Sequence, residues 1–69
     1  MKLSARNMLK GKVKSLNIGP VNAEVIIEVP GGAQIVAMIT KTSADALGLA
    51  AGKDAYAIFK ASAVLVAVD

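Results

Sequence analysis

The sequence predicts an all-β fold: a small five-stranded OB-type Greek-key barrel with one short helix between strands 3 and 4. Three observations predict it. Apolar and polar residues alternate with a period of two in separate short runs, turn-forming residues punctuate those runs, and a single helix-like interval follows the third.

The first run starts at Leu9. Leu9, Gly11 and Val13 fall on one face of an extended chain and Lys10, Lys12 and Lys14 on the other, the pattern of a half-buried strand. Asn17-Ile18-Gly19-Pro20 reads as a turn, because Gly accepts positive φ and Pro fixes φ while withholding a donor. The second strand has Val21, Ala23, Val25, Ile27 and Val29 on one side and Asn22, Glu24, Ile26 and Glu28 on the other. Pro30-Gly31-Gly32 closes a hairpin into a third strand, Ala33 to Thr40, whose two faces are both largely apolar. Thr42 to Leu49 reads as a helix of one or two turns, with a Thr or Ser N-cap, Asp45 in its first turn and Gly48 as a left-handed stop. Asp54 to Lys60 alternates again as a fourth strand, Ala61-Ser62 interrupts, and Ala63 to Val68 reads as a fifth, apolar on both sides and so expected to be covered on both. The barrel is expected to be filled by its own Val, Ile and Ala side chains, which leaves a ligand only the rim or a seam between copies.

The 69 residues form one domain, 1–69, and a chain of that size hides only about 60% of its unfolded surface. Yet 55% of the residues are hydrophobic, mean hydropathy is +0.59 and 19% are charged. That is more apolar surface than one small core can cover, and no disulfide compensates, so a homo-oligomer is expected. The longest stretch without a charge, Val29 to Thr40, is too short for the roughly 18 to 20 residues of a membrane helix, so no membrane partner is expected. Met1 to Arg6 reaches no apolar secretory core and cysteine is absent, which makes the cytoplasm the default location.

With no His and no Cys, thiol and imidazole catalysis and the usual soft-metal ligation are removed. Glu24 and Glu28 lie about 13 Å apart along one strand face, too far to act as a pair, while Asp45 and Asp54 read as helix and turn residues. No acid, base and nucleophile set remains, so the protein is not expected to be an enzyme, and no protein metal ligands or cofactor are expected. What survives is recognition by donors and positive charge. Ser4-Ala5-Arg6-Asn7 offers a hydroxyl, a guanidinium fork and backbone N–H groups, a set suited to tetrahedral oxygens, although an ordinary polar arm accounts for it as well. Lys60-Ala61-Ser62 offers a point charge and two amides at a strand end, the makings of an anion nest or of a plain solvated turn. Thr40 and Ser43 introduce the short helix, where capping and anion contact are compatible.

Lys10, Lys12 and Lys14 form either a solvated face that guards a strand or a nucleic-acid footprint. The second option, an OB-type single-stranded nucleic-acid-binding module, is the rival reading. Such binders use aromatic stacking platforms, and this chain has one Tyr and one Phe, so nucleic acid is not the expected partner.

Ser4-Ala5-Arg6-Asn7, Ile39-Thr40 with Ser43 running into Leu47-Gly48-Leu49, Gly52-Lys53, and Ile58-Phe59-Lys60-Ala61-Ser62-Ala63-Val64 together resemble the molbindin (Mop) family over essentially the whole chain. The resemblance implies a single Mop domain that binds molybdate or tungstate, for intracellular storage and homeostasis of the metal. It also implies an OB-type barrel assembled as a hexamer, a trimer of dimers, with oxyanions held between subunits by hydrogen bonds and charge and without direct metal ligation. The site it implies comprises Ser4, Ala5 and Arg6 of one copy with Thr40, Ser43, Lys60 and Ala61 of a neighbour, and Asn7 and Ser62 as adjoining members. A second class of site on the three-fold axis is implied, for which the Gly19-Pro20-Val21-Asn22 corner is the candidate.

Overall fold

The structure, a computed structural model, describes residues 2–69. It contains β1 (Asn7–Ile18), β2 (Asn22–Glu28), β3 (Gln34–Thr40), α1 (Lys41–Leu47), β4 (Asp54–Phe59) and a single 3-10 turn at Ala61–Ala63. The strands form one antiparallel sheet in the order β3-β2-β1-β4. β1 is long enough to serve two neighbours: Asn7 to Lys12 pair with β4 and Lys12 to Ile18 with β2.

That double service requires β1 to bend. The register with β2 slips between Val13 and Ser15, leaving Lys14 as the extra residue of a bulge, which turns the strand and raises its twist. The connector after α1 is fastened to the same place, with Val13 N–H donating to Lys53 O at 2.9 Å and Gly52 N–H to Val13 O at 2.8 Å. Gly11, just before the bulge, sits where a Cβ would lie 2.3 Å from the Glu28 carbonyl oxygen, so only glycine permits this approach of β1 to β2.

The concave face carries the core. Val13, Val25, Ile27 and Ala57 are almost fully buried and are flanked by Leu16, Ile35, Ala37, Ile39, Leu49 and Phe59. The predicted phase of β1, β2 and β4 is therefore the observed one, with Lys10, Lys12 and Lys14 outward. The hairpin at Pro30-Gly31-Gly32 is closed by Val29 N–H to Ala33 O at 2.9 Å, and both glycines have positive φ.

Two expectations need correction. The helix runs Lys41–Leu47 rather than 42–49, because Thr40 is its N-cap and Gly48, at φ 62°, ends it; Asp45 accordingly lies beyond the first turn. More consequentially, there are four strands rather than five, and the sheet is a half-barrel rather than a closed barrel. Residues 64–69 adopt no regular structure, and Leu65, Val66 and Val68 are 94%, 88% and 92% exposed. A segment apolar on both sides needs cover on both sides, which one chain of this size does not supply. The radius of gyration is 12.7 Å, against ~11 Å for a compact chain of this length, with the longest dimension 36 Å.

Candidate functional site

The predicted site residues fall into two groups at the two ends of β1. At its start, Asn7 pairs with Phe59 of β4, so the next residues outward, Arg6 on one strand and Lys60 on the other, leave the ladder at the same end. Ser4, Ala5, Arg6 and Asn7 are thereby brought to the end that also carries Lys60, Ala61 and Ser62. Ser4, Arg6, Lys60, Ala61 and Ser62 are exposed, and Ala5 and Asn7 half-buried. At the other end, Ile18 pairs with Ala23 and Asn22 with Thr40, so Thr40 and Ser43 lie with the Gly19-Pro20-Val21-Asn22 corner. That corner is held by Gly19 N–H to Asn22 O and by Lys41 N–H to Val21 O, each 2.8 Å. The length of β1 separates the two groups within one copy.

Charge distinguishes these ends from the middle of the strand. Lys12 donates to the Asp54 carboxylate at 2.9 Å, Lys14 lies 3.5 Å from Glu28, and Lys10 stands over the Tyr56 ring at 6.0 Å. The hydrogen bond from Lys12 first, then the charges of Lys12 and Lys10, holds the Asp54 carboxyl below the usual carboxylate range. The open groove of about 450 Å³ over this region is lined by Lys10, Lys12, Glu28 and Asp54, two charges of each sign, with no surplus to offer an anion. Among the described residues Lys2, Arg6, Lys10, Lys41, Lys53 and Lys60 form no ion pair; Lys10 stands over Tyr56 and Lys53 donates to Gly48 O at 3.1 Å, and three of the remaining four cations belong to the two chain segments that meet beside the Asn7–Phe59 pair.

Donors accompany that charge. The 3-10 turn uses Ala63 N–H, to Lys60 O at 2.9 Å, and Val64 N–H, to Ala61 O at 3.3 Å. The N–H groups of Ala61 and Ser62 have no backbone acceptor among the described residues, as the first amides of a helical turn do not. Thr40 is already employed as a cap: its Oγ1 accepts from Ser43 N–H at 3.0 Å and donates to Ser43 Oγ at 2.8 Å. Ser43 Oγ, having accepted that bond, keeps its own proton free to donate. Lys41, which sequence reasoning passed over, adds a cation beside this pair; a lysine directly after an N-cap threonine was the available signal.

A second groove, about 380 Å³, is apolar. It is the open mouth of the half-barrel, between the free edges of β3 and β4, lined by Val25, Ile27, Ala37, Ile39, Leu49 and Ile58 among others. Exposed apolar residues lie outside that groove as well, Val36 and Met38 on β3 and Met8 on β1. No helix of the described residues is long and apolar enough to cross a membrane, and no group of three or more Asp or Glu that could hold a metal occurs among them.

Known proteins resemble this chain over nearly its whole length. Residues 3–66 match the TOBE domain family. A probable molybdenum-pterin-binding protein of Haemophilus influenzae is 48% identical over all 69 residues of both chains. The solved structure of MopII from Clostridium pasteurianum superposes with a TM-score of 0.92 at 40% identity, covering 97% of this chain and all of that one. The cytoplasmic molybdate-binding protein ModG, solved with molybdate bound, gives a TM-score of 0.86 at 48% identity, covering 88% of this chain and 43% of ModG. On this agreement of sequence and fold, the chain belongs to the TOBE-domain proteins and, among them, to the molbindin (Mop) family.

Proposed function

We propose that this protein binds molybdate or tungstate at seams between copies of itself, as a single Mop domain over residues 1–69, and serves storage and homeostasis of the metal in the cytoplasm. The assembly is a hexamer, a trimer of dimers. The observation that carries the reading is the end of the β1–β4 pair, where the Arg6 and Lys60 segments converge with no carboxylate partner, next to the unused N–H groups of Ala61 and Ser62. Relatives named for molybdate or molybdenum-pterin binding supply the identity of the anion.

The chemistry is binding without catalysis. A tetrahedral dianion offers four oxygens to donors, and each charge-assisted bond is worth about 1.5 to 3 kcal/mol before the costs of binding are deducted. Four to six of them leave a net value near the roughly 8 kcal/mol of micromolar affinity. The resemblance divides the donors with Lys60 and Ala61 on the neighbour; because Asn7 pairs with Phe59, the division proposed instead has Ser4, Arg6, Lys60, Ala61 and Ser62 of one copy supply one share and Thr40 and Ser43 of a neighbouring copy the other, β1 holding the two groups apart within a copy. Selectivity over the smaller sulfate follows from a ring of donors spaced for longer metal–oxygen bonds. The Gly19-Pro20-Val21-Asn22 corner is the proposed second class of site on the three-fold axis.

The nucleic-acid reading draws no support from Lys10, Lys12 and Lys14, which are occupied by Tyr56, Asp54 and Glu28. Equilibrium dialysis against molybdate, tungstate, sulfate and phosphate tests the proposal. Arg6→Ala and Lys60→Ala are each expected to weaken molybdate uptake by about ten-fold or more, one charge-assisted bond's worth, with the fold intact and Lys12→Ala behaving as wild type. Wild-type affinity in both of the first two variants defeats it.

A further inference from the structure

We infer that Lys41 is the charge-reading residue of the oxyanion site: standing beside Thr40 and Ser43, it makes their share of the site favour a tetrahedral dianion over a monoanion of the same shape. The inference rests on the proposed function, to which it adds the class of anion selected.

Lys41 is set where its own helix disfavours it. It is the first residue of α1, and the end of a helix that exposes N–H groups favours negative charge and opposes a cation. Nothing among the described residues offsets this. The first turn contains no acidic residue, and Asp45, four positions on and so on the same side of the helix, forms no ion pair with Lys41. The other end of α1 shows the contrast, because there Lys53 donates to Gly48 O at 3.1 Å, where a cation is favoured. Lys10, Lys12 and Lys14 likewise have Tyr56, Asp54 and Glu28. A residue that breaks a local rule without compensation inside the fold marks a functional position, and here the missing compensation is an anion.

The position is firmly held. Lys41 N–H donates to Val21 O at 2.8 Å, Thr40 pairs with Asn22, and Ser43 N–H donates to Thr40 Oγ1 at 3.0 Å. Two of the first three amides of α1 are therefore spent within the chain. What this segment offers a ligand is side chains, the free hydroxyl proton of Ser43 and the Lys41 ammonium. These two groups sense different properties. A hydroxyl is directional and responds to where an oxygen lies, whereas a point charge acts in proportion to the charge it meets. Arg6 and Lys60 bring charge from one copy and Lys41 brings it from the neighbour, so a dianion in the seam is flanked by cations on both sides. An ammonium on a flexible stem does this without a fixed contact, over a range of about 8 Å in physiological salt.

Competition dialysis of the full chain with molybdate and with perrhenate, a tetrahedral monoanion of nearly the same size, tests the inference. At low ionic strength Lys41→Gln is expected to weaken molybdate binding about ten-fold and perrhenate binding about three-fold, because half the ligand charge feels half the interaction free energy. Lys41→Arg is expected to restore the molybdate value, and added salt to shrink the gap between wild type and Lys41→Gln. The denaturant midpoint of Lys41→Gln is expected to rise slightly in the absence of anion, since an opposing charge has left the start of α1. That rise separates lost binding from lost structure. Undiminished molybdate affinity in Lys41→Gln overturns the inference, as do equal losses for the two anions, and the oxyanion site survives either result. A loss of affinity that comes with a loss of stability and is not recovered by Lys41→Arg makes Lys41 structural and also overturns it. Absence of molybdate binding by the wild type removes the site itself, and this role of Lys41 with it.

Discussion

Strand β2 and the last six residues are built from the same kind of side chain and meet opposite fates. Val25 and Ile27 are 2% and 5% exposed, while Leu65, Val66 and Val68 stand at 88% or more. Hydrophobicity therefore does not decide burial here; the number of neighbours available on each side does. β2 has β1 and β3 as hydrogen-bonding partners and alternates polar with apolar, so a single concave face satisfies it. The tail has two apolar sides and no sheet partner. Full burial of a Leu or Val side chain is worth about 1.5 to 3 kcal/mol, so three of them leave several kcal/mol available to association. The contrast teaches that the sheet of this chain satisfies its own apolar side chains and that its last six residues find no cover within it.

The sharpest way to break the contrast is to damage the complete part. Gly11→Ala places a Cβ against the Glu28 carbonyl, a backbone atom that cannot swing aside, at a spot pinned by ladder bonds on both flanks. A cost of about 3 kcal/mol is expected, at the upper end of overpacking penalties, read as a lowered denaturant midpoint. A larger addition at the other end, the two methyl groups of Ala67→Val, enlarges an exposed site and is expected to leave the midpoint unchanged. Equal losses at the two positions dissolve the distinction between a finished and an unfinished region.

A smaller effect separates capping from anion binding at the far end of β1. Thr40→Ala removes the acceptor of the Ser43 N–H bond and the donor to Ser43 Oγ. About 1 kcal/mol of stability is expected to go with the cap. If Thr40 also meets the anion, molybdate uptake falls in the same variant, whereas Thr40→Ser restores both. A variant that loses stability and keeps full uptake confines Thr40 to capping.

What could be read from the sequence, and what could not, follows the same division. Alternation placed β1, β2 and β4 because each has a mainly polar and a mainly apolar side, and the chain itself records which is which, whereas β3, apolar on both faces, was marked by the Pro30-Gly31-Gly32 turn before it and the helix start after it. Gly48 marked the helix end because a left-handed residue there is a local requirement, met at φ 62°. The Lys14 bulge left no trace, since an extra residue in a strand is defined by its partner's register and not by its own chemistry. The fifth strand was misread for a related reason. Apolar residues on both sides of 64–69 read as a buried strand, yet this chain offers that segment no sheet partner and leaves it exposed. The meeting of the Ser4–Asn7 and Lys60–Ser62 segments was anticipated only through resemblance, because the antiparallel pairing of residues more than fifty positions apart is a property of the fold. Lys41 was overlooked as an isolated cation, and the sheet register is what sets it beside the Gly19–Asn22 corner.

The weakest expected effect tests whether the middle of β1 is as electrostatically settled as its ends are not. Asp54 has its carboxyl pKa lowered, mainly by the hydrogen bond from Lys12 and then by the charges of Lys12 and Lys10. A carboxylate that binds its proton less readily when folded contributes stability above its unfolded pKa, near 3.9. That contribution is lost as pH falls through the lower folded value. The groups are exposed, 69% for the Lys12 side chain and 57% for Asp54, so solvent and salt screen the pair and the effect is small. Asp54→Asn is accordingly expected to flatten the acid limb of the stability profile below about pH 4, and to shift the midpoint at pH 7 only slightly and less in high salt. Molybdate uptake is expected to be untouched, because Lys12, once released, lies along the strand from the Arg6 and Lys60 end. An increase in uptake when Lys12 is freed instead makes the ion pair a competitor for the anion and draws the strand's middle into the site.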